Sequence, residues 1–159
     1  MKFLCDQMLG TLAKWLRFTG YDTFYANATM DDRELMNIAK KEKRIIITRD
    51  KQLIQKSKKE NLQVIEIKTT DLDKQLKHVL NNVDTKRAGI LSRCSLCNTI
   101  LQRIDKCDVK NRVPKKVFEN NKEFWFCKKC NKIYWKGTHY TKIVRRIDAV
   151  KKATATKKQ

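Results

Sequence analysis

The chain has 159 residues, 37 Lys and Arg against 17 Asp and Glu for a formal charge of +20, and only 4 Gly and 1 Pro. This length allows one ordinary domain, or a domain of about 100 residues with a small partner. No apolar run reaches the ~18 residues of a membrane span, and Asp6, Gln7 and Lys14 interrupt any signal-peptide core, so a pI near 9.9 predicts a soluble cytoplasmic protein that meets a polyanion, RNA or DNA.

In chain order, Lys2–Cys5 reads as a short apolar strand ending at Asp6. Met8, Leu9, Leu12, Trp15, Leu16 and Thr19 then recur at helical spacing, and Gly20 stops that helix. Residues 22–26 (DTFYA) are aromatic and β-branched and predict a second strand. Asp31 and Asp32 precede a helix marked by Leu35, Ile38 and Ala39, with Asp31 and Glu34 at capping-box spacing. Residues 44–48 (RIIIT) form an apolar strand core of the kind covered on both faces. Asp50 opens a helix to about Lys59, residues 63–67 (QVIEI) form a fourth strand, and Asp71 begins a helix to about Leu80. Four strand–helix pairs in about 80 residues predict an α/β fold with a parallel sheet flanked by helices.

Charge and cysteine divide the chain. Residues 1–85 hold 16 basic and 12 acidic side chains, net +4, and residues 86–159 hold 21 and 5, net +16. Cys5 stands alone early, whereas Cys94, Cys97, Cys107, Cys127 and Cys130 lie late. A boundary near residues 84–92 follows, with a domain over 1–85, a cysteine-bearing unit over 93–147 and a basic tail over 148–159.

Functional groups in a parallel sheet collect beyond the carboxyl ends of its strands. Asp6, Asp31, Asp32 and Asp50 fall there. Gathered carboxylates repel unless a cation neutralises them, and hard oxygen ligands suit magnesium or manganese. Such ions could activate water for phosphodiester cleavage without a Ser, Cys or His nucleophile. Asp at a helix start also serves as a cap, and spacing alone leaves both readings open, for Asp71 as well. Thr48 and Arg49 precede Asp50 and could orient it or a substrate.

The pairs Cys94-x2-Cys97 and Cys127-x2-Cys130, with 29 residues between them, supply four thiolates for a structural tetrahedral zinc. Reducing conditions in the cytosol disfavour disulfides, and Cys107 falls outside the motif. Lys128, Lys129, Lys132, Lys136, His139, Arg145 and Arg146 interleave with Phe124, Trp125, Phe126, Tyr134, Trp135 and Tyr140. Basic groups among aromatic rings predict a surface for single-stranded RNA, although the rings equally suit the core of a small ribbon. Lys14 and Arg17, three residues apart, could contact a phosphate near Asp6.

The run Phe3-Leu4-Cys5-Asp6-Gln7-Met8-Leu9-Gly10, followed by Leu12-Ala13-Lys14-Trp15-Leu16-Arg17 and Gly20-Tyr21-Asp22, resembles the Mut-seven C-terminal RNase domain family. The later segments Asp31-Asp32-Arg33-Glu34-Leu35 and Ile46-Ile47-Thr48-Arg49-Asp50, with Leu53, agree in order. So do Arg93-Cys94, Cys97-Asn98, Leu101, Val113-Pro114 and the run from Ile133 to Tyr140, with Thr138 and Tyr140 where the family tends to have Ser and Trp. The resemblance implies a PIN-like domain with an appended zinc ribbon and a metal-dependent ribonuclease role. Asp6, Asp32 and Asp50 would be the magnesium or manganese ligands, and Asp31 an alternate. A different expectation keeps the PIN-like scaffold for a non-catalytic factor that binds RNA, ribosomal RNA or the ribosome.

Overall fold

The computed structural model describes residues 1–83 and 89–155. Its first half is a four-stranded parallel sheet of β1 (Lys2–Cys5), β2 (Asp22–Tyr25), β3 (Ile45–Thr48) and β4 (Val64–Glu66), in the order β2-β1-β3-β4. Helices α1 (Gly10–Phe18), α2 (Asp32–Glu42), α3 (Lys51–Lys59) and α4 (Leu72–Asn81) connect and follow the strands. A 3-10 turn over Gln7–Leu9 leads into α1. Strand alternation divides the core in two. Phe3, Cys5, Ile47 and Ile65 face α1 and α4 with Leu12, Leu16, Leu76 and Val79. Leu4 and Ile46 face the other side with Leu35, Ala39 and Leu53 of α2 and α3. Both faces are covered, which is why residues 3–5 of β1 and 45–47 of β3 are continuous apolar runs.

The second half builds an antiparallel sheet, β5 (Gln102–Ile104), β6 (Phe124–Cys127) and β7 (Lys132–Trp135), in the order β5-β6-β7. Short helices α5 (Lys106–Val109) and α6 (Lys115–Asn120) bridge β5 to β6. Val109, Phe124 and Ile133 form its small core, so the ribbon's rings serve packing first. The chain then enters α7 (Thr138–Ala155). Ile143 and Ile147 pack on Phe18 of α1, and Val150 joins the core of the first half. Helix α7 thus runs through the boundary set at residues 147 and 148, and residues 148–155 are helical. Of the boundary segment 84–92, residues 84–88 lie outside the described residues, as do residues 156–159 of the tail. Among the described residues, no helix is long and apolar enough to cross a membrane.

The two halves meet closely. Gly20, at φ +90°, faces Gly89 so tightly that an added Cβ would run into that residue's backbone. Leu91 N–H donates to Phe18 O at 3.4 Å.

Candidate active site and metal centre

At the carboxyl edge of the parallel sheet, Asp6 follows β1, and Arg49 and Asp50 follow β3. Asp6 is buried, at 6% exposure. Thr48 Oγ1–H donates to Asp6 Oδ2 at 2.8 Å, while the same oxygen accepts the Asp50 N–H at 2.9 Å. The single hydroxyl proton is therefore committed to Asp6, whose other oxygen takes no hydrogen bond among the described residues. Asp50 Oδ1 caps α3 by accepting from Gln52 N at 2.7 Å and Leu53 N at 3.3 Å. Asp31 Oδ1 caps α2, accepting from Glu34 N at 2.8 Å. These two residues do the capping that their positions suggested.

Asp32, in the first turn of α2, is engaged differently. Lys56 of α3 reaches its Oδ2 at 2.7 Å. The Asp32 hydrogen bond and charge, with smaller contributions from Asp50 and Asp31, raise the Lys56 pKa above its ordinary value. An ammonium thus lies among three of the four acidic positions. Lys56 escaped the sequence reading because a lysine on a polar helix face carries no local signal. Arg49 is half-buried and makes no ion pair among the described residues.

The carboxylates share one edge but do not converge into a cage. Among the described residues, Cys94, Cys97, Cys127 and Cys130 are the one group of three or more His, Cys, Asp or Glu side chains with ligand atoms close enough for a shared metal. Oxygen donors of this kind suit a hard cation in chemistry, but among the described residues no three of them lie close enough to share one.

The cysteine set fits zinc in both chemistry and geometry. All four sulfurs lie within 4.8 Å of one another, with Cys97 and Cys127 at 3.4 Å and Cys94 and Cys130 at 3.9 Å. A tetrahedron with Zn–S bonds of ~2.3 Å needs edges of ~3.8 Å, whereas a disulfide needs ~2.05 Å. Each pair is followed by asparagine in the left-handed region, Asn98 at φ +68° and Asn131 at φ +52°, a conformation asparagine tolerates. This repeat (CSLCN and CKKCN) curls each knuckle so that backbone amides face sulfur, as Cys130 N–H does toward Cys127 Sγ at 3.4 Å. The sulfurs share charge unevenly. Burial opposes ionisation of Cys97, but the Thr99 hydroxyl and amide bring it down to about 6. The hydrogen bond with Cys97, burial and nearby Cys94 push Cys130 up to about 12. Four thiolates this close require a cation. Cys5, buried in the sheet, is held protonated by desolvation, and Cys107 is exposed in α5.

The basic residues divide three ways. Lys14, Lys128, Lys129, Lys132, Lys136, His139 and Arg145 are exposed. Lys136 pairs with Glu123 at 3.1 Å. Arg146 is half-buried, 2.6 Å from Asp73 and stacked 4.8 Å from the centre of Trp15. Arg17 corrects the expectation that it meets phosphate. At 7% exposure it points inward, donating to Thr23 O at 2.9 Å, Ser95 O at 3.3 Å and Leu96 O at 2.7 Å. Its guanidinium ties α1 and β2 to the first knuckle.

A second tie went unseen in the sequence. Asp22, at the start of edge strand β2, receives Arg44 at 2.6 Å, Arg93 at 3.3 Å and the Asn98 amide at 2.9 Å. Asn98 Oδ1 in turn accepts Thr23 N–H at 3.0 Å, satisfying a strand-edge donor. Asp22, Arg93 and Asn98 each stand in segments noted in the sequence, but nothing local showed that they meet.

No curated protein and no solved structure matches this chain at the significance applied. The family model described as the Mut7-C RNAse domain matches residues 1–147 and so spans both the parallel sheet and the four-cysteine centre. The chain belongs to the Mut7-C RNAse domain family.

Proposed function

We propose that this protein is a metal-dependent ribonuclease with a PIN-like first half, in which the basic zinc ribbon holds RNA against a carboxylate edge formed by Asp6, Asp32 and Asp50. The observation that carries the reading is Asp6. A carboxylate at 6% exposure, oriented by Thr48, makes no capping bond to the turn that follows it and keeps its second oxygen unpartnered among the described residues. Bound magnesium or manganese would activate a water and neutralise charge on the scissile phosphate. Asp6 and Asp50 would hold it through the oxygens they leave free. Arg49 would bind a phosphate oxygen. Lys128, Lys129, Lys132, Arg145 and their neighbours would hold the flanking backbone, giving affinity without reading sequence.

The test is cleavage of single-stranded and structured RNAs by the purified zinc-loaded protein with manganese, against Asp6→Asn/Asp50→Asn. Products that the double variant fails to make support the reading. Equal traces from both proteins reject it.

One observation favours a second reading, a non-catalytic factor that binds RNA or the ribosome. Asp31 and Asp50 are engaged as helix caps and Asp32 is neutralised by Lys56, so the edge can persist without a divalent ion. Under this reading both proteins co-sediment with ribosomes and RNA ends do not change.

A further inference from the structure

Where the two halves meet, a cavity of about 380 Å³ opens between α1, β7 and the start of α7. Phe18, Trp135 and Tyr140 supply aromatic walls, and Lys14, Lys132 and His139 supply basic groups. No carboxylate lines it among the described residues. Lys14 and Lys132 make no ion pair among the described residues. Their ammonium groups stand over rings instead, 5.9 Å from the centre of Phe18 and 5.6 Å from the centre of Tyr134. His139 is exposed and meets Phe18 edge to face at 6.1 Å.

This combination narrows the ligand. Aromatic walls select a flat apolar group, and unpaired cations without an opposing carboxylate select an anion attached to it. The volume lies near the small end of ligand sites, which run from ~300 to ~1,000 Å³, so a base can enter and a duplex cannot. We propose that the cavity takes one unpaired nucleotide of an RNA strand, its base among Phe18, Trp135 and Tyr140 and its phosphate on the rim of Lys14, Lys132 and His139. Bases splayed from single strands onto aromatic side chains are the usual basis of such recognition. The inference rests on the RNA-binding part of the proposed function and is independent of whether the strand is cut. It gives the protein a preference for unpaired segments that backbone contacts alone would not supply.

The experiment uses the full zinc-loaded chain without magnesium or manganese, so that binding is read without cleavage. Single-stranded RNA oligonucleotides carrying one abasic position, moved along the strand, are titrated by fluorescence anisotropy. Wild type is compared with Lys14→Ala/His139→Ala and with Lys128→Ala/Lys129→Ala, after thermal melting has verified folding. Loss of one base is expected to weaken wild-type binding about tenfold at one register and less than about twofold elsewhere. Lys14→Ala/His139→Ala should bind more weakly and lose that register dependence. Lys128→Ala/Lys129→Ala should weaken every oligonucleotide alike and keep it. A flat abasic profile in wild type, or a profile unchanged in Lys14→Ala/His139→Ala, overturns the proposal. Cleavage with manganese, measured separately, decides the nuclease reading alone: a flat profile with cleavage rejects only the nucleotide pocket, and a peaked profile without cleavage rejects only the nuclease.

Discussion

Asn98, one residue beyond the first cysteine pair, donates to Asp22 Oδ1 at 2.9 Å. The metal centre is thereby tied to the edge of the parallel sheet. Curling the knuckle puts Asn98 in the left-handed region, and the same amide side chain then reaches both Asp22 and the Thr23 N–H. Order in the ribbon and order in the sheet are one event at this edge.

Zinc removal tests this directly. Structural zinc contributes on the order of 10 kcal/mol in small domains, so a strong chelator should unfold the ribbon and also lower the melting temperature of the first half. Cys94→Ser and Cys127→Ser should reproduce both effects, and Cys107→Ser neither. Zinc content with thermal denaturation provides the check.

Asp22 should set part of the acid limit. Burial opposes its ionisation, but hydrogen bonds from Arg44 and Asn98 and the charges of Arg44 and Arg93 outweigh it and hold the carboxyl below its ordinary range. A depressed folded pKa means that stabilisation is complete above the unfolded value of ~4 and is lost as pH falls through the folded one. Asp22→Asn should cost about 2 kcal/mol at neutral pH, less than a fully buried pair. It should also flatten the stability profile below about pH 4, as read by urea denaturation across pH.

Thr48→Val removes the hydroxyl between Asp6 and the Asp50 amide while keeping the side chain's shape. Two hydrogen bonds are lost, at about 1 kcal/mol each. If Asp6 acts in cleavage, activity should fall about tenfold or more through its loss of orientation, with RNA affinity unchanged. Paired binding and single-turnover measurements separate the two effects.

Lys56 competes with any divalent ion for Asp32. Its pKa, raised by Asp32 above the ordinary lysine value, keeps it charged at neutral pH. Lys56→Ala should therefore lower the manganese concentration needed for half-maximal cleavage and tighten manganese binding by calorimetry. Unchanged manganese binding in this variant would mean that Asp32 does not contribute to the ion site.

The sheet was legible because its physics is local. Ile45–Thr48 is apolar on both faces, and Asp31, Asp50 and Asp71 punctuate helix starts, so each element in the first half lies within about two residues of its expected place. The cysteine spacing likewise declared its centre. What escaped depends on contacts distant in sequence. Arg17 shares a helix with exposed Lys14, and two of the three carbonyls that draw it inward belong to the docked knuckle, almost eighty positions away. Helix α7 did carry a signal in Ile143, Ile147 and Val150, at helical spacing, but the boundary at residue 147 left the first two in the cysteine-bearing unit and the third in a basic tail. The resemblance led to the expectation that Asp6, Asp32 and Asp50 hold one ion, yet among the described residues they share an edge without gathering into a cage, and their partners Thr48 and Lys56 became visible only with the fold.

Helix α7 also makes the first half depend on a distant segment. Val150 packs in the core with Leu76 and Val79, far beyond them in the chain. Shortening the chain ahead of Val150 would open apolar surface on α1 and α4 to solvent, so a truncation meant to isolate the parallel sheet takes part of its core away with it.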